Sequence, residues 1–255
     1  MQMTGNTILI TGGGSGIGRA LAEAFHGLGN KVVIAGRRNA VLDDVTAANP
    51  GMASAQLDVE SGAAIPAFAA QLQTSHPALN VVIHCAGIMR MEAVKSGALA
   101  DAEAMVATNL LGTIRLTAAL LPQLMSQPRA TLMTVSSGLA FIPLAFTPTY
   151  CATKAAIHSY SQSLRYQLKD TAVEVLELAP PYVQTELMGP GNAVDPRAMP
   201  LKEFIAEVMH ILATKPAATE ILVERVMPLR NAEASAGYPA FFQQFNDGFA
   251  SAMGH

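Results

Sequence analysis

The chain has 255 residues, of which 51% are hydrophobic and 14% are charged, and its formal net charge at pH 7 is −3. This composition excludes an intrinsically disordered chain, and the lack of a basic tract longer than Arg37-Arg38 argues against a nucleic-acid-binding surface. No uninterrupted apolar run approaches the roughly 18 residues that a membrane span requires. We therefore expect one α/β domain over residues 1–255, with neither nucleic-acid nor membrane partners.

Three further features concern the setting of the protein. The first apolar run, residues 8–10, stops at a glycine cluster without a secretory leader pattern, which predicts a cytoplasmic protein. Two cysteines, Cys85 and Cys151, are too few to form a metal cluster, so no metal is expected. The low charge content favours a homodimer or homotetramer that hides further surface, with an alanine-rich helical exterior as the alternative.

Short apolar runs alternate with helical patterns along the first two thirds of the chain. Strands are predicted at 7–11, 31–35, 53–57, 80–84, 131–136 and 173–178, and helices at about 16–28, 39–48, 61–73, 101–125 and 149–170. Most of the strands are nearly continuous apolar runs, which is typical of strands buried on both faces of a parallel sheet. The alternation predicts a doubly wound, Rossmann-like parallel sheet with right-handed crossovers.

The pattern loosens after Ala179. Residues 186–200 contain three prolines and two glycines, which exclude a long helix or a central strand. A loop of this length that carries apolar side chains is interpreted as a lid that closes over a substrate, and a static loop packed on a neighbouring subunit is the alternative. The apolar residues of this loop are Leu187, Met188, Val194 and Met199.

Three more elements are predicted beyond the loop: a helix at 202–213, a final strand at 219–226 and a C-terminal helix at about 240–253. The last helix carries four phenylalanines, which we interpret as packing or subunit contacts rather than as part of a cofactor site. They are Phe241, Phe242, Phe245 and Phe249.

A glycine-rich loop, TGGGSGIG at 11–18, stands between the first strand and the first helix. Backbone N–H groups and the positive end of a helix can hold a pyrophosphate there, and glycines let the backbone approach it closely. The strict G-x-G-x-x-G spacing is absent, and a P-loop fails because Arg19 and Ala20 stand where lysine and a hydroxyl are required. The loop residues that we expect to contact a dinucleotide are Gly12, Ser15, Gly16, Ile17 and Gly18.

The end of the second strand selects between dinucleotides. A carboxylate there would bind the ribose hydroxyls of NAD(H), whereas an arginine accommodates the 2′-phosphate of NADP(H). Gly36 occupies this position and Arg37 and Arg38 follow it, so NADP(H) is favoured and NAD(H) stays possible. The alternative is that both arginines only solvate a loop.

Tyr150 and Lys154 lie four residues apart in a helical pattern, so both project from one face. A neighbouring ammonium favours the phenolate form of a tyrosine, whose pKa is otherwise near 10. Such a pair suits a general acid/base that protonates a carbonyl oxygen as a hydride arrives.

Together these motifs resemble the short-chain dehydrogenase/reductase family over about residues 5–190. The family's TGxxxGxG loop matches residues 11–18, its N-N-A-G motif corresponds to HCAG at 84–87, and its P-G-x-V-x-T motif corresponds to PPYVQT at 180–185. An acidic residue after the third strand matches Asp58, and the active-site asparagine matches Asn109. The family's serine, thirteen residues before the tyrosine, selects Ser137 over Ser136.

The resemblance implies an NADP(H)-dependent oxidoreductase that interconverts a ketone or aldehyde and an alcohol. Tyr150 would donate or accept the proton, and Lys154 would lower the tyrosine pKa and hold the nicotinamide ribose. Ser137 would bind the substrate oxygen, and Asn109 would anchor a water that relays protons to Lys154. The further cofactor contacts that it implies are Asp58, Val59, Cys85, Ala86, Gly87, Val183 and Thr185.

The sequence departs from the family at three places. His84 and Cys85 replace the two asparagines of N-N-A-G, and Cys85 should be tolerated if that position acts through its backbone. Pro181 replaces a glycine and should stiffen the wall beside the nicotinamide. The familiar V-D-G-G after a last strand is missing, which leaves residues beyond about 200 without a template.

Several residues outside the motifs have expected roles, and two other functions stay open. His158 is expected to be a satisfied helix or interface histidine, and Cys151 a core residue. The predicted substrate pocket is mostly apolar, which favours a non-ionic substrate; its residues are Met89, Leu139, Ile142, Leu144, Tyr182 and Met188. The alternatives are a catalytically silent NADP(H)-binding sensor or interaction protein, and a Rossmann-like methyltransferase, which would not need Tyr150, Lys154 and Arg37 together.

Overall fold

A computed structural model describes residues 1–253, and their centre is a seven-stranded parallel sheet. The strands are β1 (Thr7–Thr11), β2 (Lys31–Gly36), β3 (Ala53–Gln56), β4 (Leu79–His84), β5 (Ala130–Val135), β6 (Val173–Leu178) and β7 (Glu220–Ile221). Their order is β3-β2-β1-β4-β5-β6-β7, so the direction of winding reverses between β1 and β4. The predicted doubly wound, Rossmann-like fold class is confirmed, and in such sheets ligands bind beyond the carboxyl ends of the strands at this reversal.

Helices cover both faces of the sheet. They are α1 (Gly16–Gly27), α2 (Asn39–Ala48), α3 (Ala64–Ser75), α4 (Ala100–Met105), α5 (Gly112–Met125), α6 (Pro148–Gln167), α7 (Leu201–Thr214), α8 (Met227–Arg230) and α9 (Tyr238–Met253). A π-helical turn, Val106–Leu111, joins α4 to α5. Short 3₁₀ turns occur at Val94–Ser96, Gly138–Ala140, Pro190–Val194 and Glu224–Val226.

The two faces of the sheet have separate apolar cores, because successive side chains of a strand point in opposite directions. Ile8 and Ile10 of β1 pack on the face covered by α1, α2 and α7. Leu9, between them, packs on the face covered by α3, α5 and α6. All three are fully buried, and burying one such side chain contributes about 1.5–3 kcal/mol.

The stretch Ala100–Met125 is the only part of the described residues long and apolar enough to cross a membrane, with a mean hydropathy of 1.5. Its apolar side chains have a place in the fold, however. Leu116, Leu120 and Leu124 recur every four residues, and all three are buried against the sheet. This spacing is that of one helix face, so the stretch is explained as a core helix.

The predicted final strand at 219–226 is wrong in length. Only Glu220–Ile221 pairs with β6, and Glu224–Val226 forms a 3₁₀ turn. The reason is that the partner strand β6 itself ends at Leu178, opposite Ile221, so residues beyond Ile221 have no strand to pair with. The chain turns away instead and places Val226 against Gly138, beside the end of β5.

Candidate active site

The glycine loop connects β1 to α1 at the carboxyl edge of the sheet. Gly12 has a positive φ of 68°, and a Cβ there would lie 2.9 Å from the Cα of Ala86. Likewise, a Cβ on Gly18 would collide with the carbonyl oxygen of Gly12. The loop therefore requires glycine at both positions and folds tightly against the segment that follows β4. Its backbone leaves an open cradle in front of the N-terminus of α1.

The segment after β4 is fixed to the glycine loop through its backbone. The Thr11 hydroxyl accepts hydrogen bonds from the amides of Cys85 and Ala86, both at 3.1 Å. The Cys85 side chain is not needed for either bond. This geometry supports the interpretation that the position acts through the backbone and so tolerates cysteine in place of asparagine.

A cavity of about 540 Å³ runs from the glycine loop to the end of α9. All of the residues predicted to contact the cofactor line it: Gly12, Ser15, Gly16, Ile17, Gly18, Arg37, Asp58, Val59, Cys85, Ala86, Gly87, Tyr150, Lys154, Val183 and Thr185. Ser137 lines it as well. A Cβ on Gly16 would lie 3.4 Å from the Thr185 side chain, so the cradle and the segment after β6 face each other across a narrow gap. A cavity of this size lies in the usual range for cofactor sites.

Tyr150 and Lys154 project from the first half of α6 into the middle of this cavity. Both are buried, at 6% exposure each. The Lys154 ammonium donates a hydrogen bond to the carbonyl oxygen of Val135 at 2.8 Å and lies 5.6 Å from the centre of the Tyr150 ring. Ser137, on the turn after β5, lines the cavity beside Tyr150 and acts on the pKa of its phenol.

The pKa values of this pair are governed by burial. Burial raises the pKa of Tyr150 above its ordinary value, and the neighbouring Ser137 hydroxyl only partly opposes this. Burial also lowers the pKa of Lys154 to about 8, with the nearby Cys85 thiol acting in the opposite direction. The lowering of the tyrosine pKa by Lys154 stays a prediction, because Lys154 is not among the groups that shift the pKa of Tyr150 here. The Lys154 ammonium is directed at the Val135 carbonyl, and a phenol with a raised pKa is protonated at neutral pH.

Asn109 lies in the π-helical turn and does not line the cavity. Its amide clamps the backbone of Ile88: Oδ1 accepts from the Ile88 amide at 2.9 Å, and Nδ2 donates to the Ile88 carbonyl at 2.9 Å. The same Nδ2 is 3.2 Å from the Thr153 hydroxyl on α6. Asn109 thus ties the loop after β4 to the helix that carries Tyr150 and Lys154. Its part in a water relay stays a prediction.

His84 replaces an asparagine at the end of β4 and is fully enclosed. Its Nε2 is 3.0 Å from the Thr117 hydroxyl on α5, and burial lowers its pKa from 6.5 to about 4. The folded protein therefore keeps this ring neutral at a pH where the unfolded chain protonates it.

This difference predicts an acid-sensitive stability. Between pH 6.5 and 4 the unfolded state binds more protons, so the stability is fully present above pH 6.5 and decreases as the pH falls towards 4. Each pH unit in this window costs about 1.4 kcal/mol. The free energy of unfolding, measured by urea denaturation, should decrease between pH 6.5 and 5 by about 2 kcal/mol less in His84→Asn than in the wild type. The exposed His210→Asn variant should show the same pH dependence of the unfolding free energy as the wild type. The prediction is contradicted if this free energy changes equally with pH in all three proteins.

The substrate end of the cavity is an apolar chamber. Five of the six predicted pocket residues line it: Met89, Leu139, Leu144, Tyr182 and Met188. Ile142 does not, because it is fully buried beneath the surface. The apolar character that we expected is present, and Tyr150 packs in the same cluster as Met89 and Leu144.

Sequence reasoning missed two residues of this chamber. Phe245 and Phe249 of α9 line the cavity and pack on the cluster around Tyr150, so they are not only structural contacts. Asn246, between them, accepts a hydrogen bond from the Ala145 amide at 2.6 Å and donates to the Pro143 carbonyl at 3.2 Å. The four-residue spacing of the two phenylalanines showed that they share a helix face, but no sequence signal indicated which surface that face covers.

Part of the predicted lid is attached to the fold. Met199 is buried, and its amide donates to the Tyr182 carbonyl at 2.8 Å, so the end of the loop is fixed. Met188 packs beside the chamber, whereas Leu187 and Val194 are exposed at 39% and 76%. The middle of the loop thus carries apolar side chains that a moving segment could bury. Closure over a substrate stays a prediction.

A doubly wound sheet with a glycine loop at its first crossover, facing a buried Tyr-Lys pair, defines a Rossmann-like dinucleotide-binding oxidoreductase. The chain belongs to the short chain dehydrogenase family, whose model matches residues 6–194. It is 40% identical over 252 residues to the uncharacterized oxidoreductase DltE of Bacillus subtilis (strain 168), covering 96% of this chain and 98% of that protein.

Solved structures agree with this assignment. The closed form of a serine dehydrogenase complexed with NADP+ is 28% identical, with a TM-score of 0.75 over 84% of this chain and 91% of that one. A short chain dehydrogenase/reductase from Burkholderia phymatum in complex with NAD has a TM-score of 0.82 at 20% identity, over 96% of each chain, and shows the likeness of the fold.

Proposed function

We propose that the chain is an NADP(H)-dependent oxidoreductase that interconverts a ketone or aldehyde and an alcohol, with Tyr150 as the general acid/base. One observation carries this proposal: Tyr150, Ser137 and Lys154 converge where the dinucleotide cavity opens into the apolar chamber. A substrate carbonyl in the chamber would lie beside both the phenol and the reactive end of the cofactor.

The residues that would hold the cofactor follow the cavity from end to end. Arg37 would pair with the 2′-phosphate, and Asp58 and Val59 would border the adenine. The glycine loop would bind the pyrophosphate, Lys154 the nicotinamide ribose, and the segment of Val183 and Thr185 the carboxamide. When bound, the cofactor supplies or accepts the hydride.

The protein's own part of the reaction is a proton transfer. In reduction, the Tyr150 hydroxyl donates its proton to the substrate oxygen, while the Ser137 hydroxyl holds that oxygen by a hydrogen bond. In oxidation the tyrosine takes the proton back from the alcohol. The phenol has a raised pKa and starts protonated at neutral pH, which suits the reducing direction. The apolar walls exclude water and favour a non-ionic substrate.

The preference for NADP(H) rests on Arg37 and Gly36. The structural neighbours hold NADP+ in one case and NAD in the other, so the choice depends on this chain's own residues. The Arg37 side chain is exposed at the mouth of the cavity, directly after the end of β2 at Gly36, which offers no carboxylate to the ribose hydroxyls.

We expect Arg37→Ala to weaken NADPH binding about ten- to a hundred-fold, because a charge-assisted bond contributes about 1.5–3 kcal/mol. NADH binding should stay within about twofold, since it lacks the 2′-phosphate. Dissociation constants from the fluorescence of the reduced cofactors measure both effects. Arg129→Ala, which removes an exposed arginine outside the cavity lining, is the control and should bind both cofactors like the wild type. Equal losses for NADPH and NADH in Arg37→Ala would overturn the assignment.

A further inference from the structure

The reaction proposed above leaves one buried carboxylate without a role. Glu177, in the middle of the carboxyl half of β6, is fully buried. Its neighbours on the strand, Leu176 and Leu178, belong to the apolar core. A buried carboxylate is costly unless its charge and hydrogen bonds are satisfied, so its partners indicate what it holds.

Glu177 joins two elements that carry reacting groups. Its Oε1 accepts a hydrogen bond from the Ser136 hydroxyl at 2.5 Å, and Ser136 is adjacent to Ser137. Its two oxygens also lie 3.0 and 2.9 Å from Nδ1 of His158. His158 stands one helical turn after Lys154 and two turns after Tyr150 on α6. Glu177 therefore connects the turn after β5 with the helix of the Tyr-Lys pair.

The histidine is oriented to donate towards this carboxylate. Nδ1 of His158 faces the Glu177 carboxylate, which only accepts hydrogen bonds, so Nδ1 carries a hydrogen and donates it. The ring is also packed edge-on against Phe141, with centroids 4.8 Å apart. These contacts leave His158 little freedom to turn away from Glu177.

The same cluster has the donor types of a metal site, because ligand atoms of His158, Glu177 and Glu220 lie within 4.8 Å of one another. Arg230 takes the place that a cation would need. Its guanidinium holds both oxygens of Glu220, with Nε 2.8 Å from Oε2 and Nη2 3.2 Å from Oε1. Glu220 is thus already paired with a protein cation, and we assign the cluster no metal.

The turn that carries Ser137 is fixed from its other side as well. The Ser136 and Gly138 amides donate to the carbonyls of Leu178 and Pro180 at 2.9 and 2.8 Å. A Cβ on Gly138 would meet the Leu229 side chain at 2.6 Å, so α8 packs directly on the turn. The backbone of the turn is therefore bound to β6, and the Glu177 side chain adds the link to α6.

We propose that Glu177 is a positioning residue that holds the Ser137 turn in register with the Tyr150 face of α6. This inference rests on the proposed function. Ser137 and Tyr150 must meet one substrate oxygen, and a displacement of about 1 Å between such groups lowers turnover by up to a hundred-fold. Glu177 would act through its hydrogen bonds to Ser136 and His158 and not by touching the substrate, because it lies outside the cavity lining.

The test compares three variants in the full chain. Glu177→Leu removes both bonds at similar volume, Ser136→Ala removes one hydroxyl, and Glu177→Gln keeps an oxygen that accepts from Ser136. We expect the first two to lower kcat for reduction of an apolar aryl ketone about ten- to a hundred-fold. KM and the NADPH dissociation constant should stay within about threefold. Glu177→Gln should retain kcat within about threefold, which separates hydrogen bonding from charge.

Additivity gives the decisive comparison. The double variant Ser136→Ala/Glu177→Leu should lose no more than the worse single variant, because both substitutions break the same link. Glu174→Leu is the matched control, since it removes a half-exposed carboxylate from the same strand, and it should retain wild-type kcat. Wild-type kcat in Glu177→Leu, a loss shared by Glu177→Gln, or fully additive losses would each overturn the proposal.

A crystal structure of the Ser136→Ala variant separates a failure of this inference from a failure of the proposed function. A wild type that reduces none of a panel of ketones would refute the function only. The inference still predicts that the Ser137 hydroxyl moves away from Tyr150 in this variant and not in Glu174→Leu. An unmoved Ser137 would refute the inference, whatever the activity.

Discussion

Tyr150→Phe is expected to lower kcat for carbonyl reduction by about 10²–10⁴-fold, the usual contribution of a positioned general acid. The ring keeps its packing against Met89 and Leu144, and only the hydroxyl is lost. NADPH affinity should therefore stay within about threefold. Turnover is followed by the absorbance of the reduced cofactor, and binding by its fluorescence.

Tyr166→Phe provides the matched control for this result. Tyr166 lies on the same helix but is 70% exposed, so its hydroxyl can be removed without touching the cavity. Substantial activity in Tyr150→Phe would refute the proton-transfer role. A wild type that binds NADPH but reduces no carbonyl would favour the alternative of a silent NADP(H)-binding protein.

Lys154→Met is expected to weaken both catalysis and cofactor binding. It should lower kcat/KM at least about a hundred-fold and NADPH affinity about tenfold. The methionine keeps the length of the side chain but removes an ammonium that lies 5.6 Å from the centre of the Tyr150 ring and would bind the ribose. Lys169→Met, an exposed lysine outside the cavity, is the control. Unchanged NADPH affinity in Lys154→Met would contradict the ribose contact.

The pH dependence of kcat/KM in the wild type tests the role of the Lys154 ammonium independently. Burial lowers the pKa of Lys154 to about 8, so the ammonium is present below that pH and lost above it. Because kcat/KM reports the ionisations of the free enzyme, reduction should decline as the pH rises through about 8. A profile that stays flat to pH 10 would show that the charge of Lys154 is not required.

The sequence was sufficient for the parts of the fold that follow from periodicity. The strand Thr7–Thr11 and the helix Asn39–Ala48 were predicted to the residue, because apolar runs and glycines mark their ends directly. The glycine loop was also readable, since Gly12 and Gly18 stand where any Cβ would collide with backbone. The strand, the helix and the loop each depend on contacts between residues that are close in sequence, so the local sequence is enough to predict them.

Features that depend on distant partners could not be predicted. The length of the last strand is set by where β6 ends, and the role of Phe245 and Phe249 by where α9 docks. The raised pKa of Tyr150 also depends on burial, which a four-residue spacing to Lys154 does not reveal. Asn109 was found by its motif, but its clamp on Ile88 required the fold.

The π-helical turn that holds Asn109 makes this part of the chain more sensitive to length than to composition. A regular helix advances 1.5 Å and turns about 100° per residue. Deleting one residue from Val106–Leu111 would therefore rotate α5 by that angle relative to α4. Either Asn109 would lose its hydrogen bonds to Ile88, or Leu116, Leu120 and Leu124 would lose their packing against the sheet. In an evolving lineage, substitutions should accumulate freely on the outer face of this segment while insertions and deletions are eliminated.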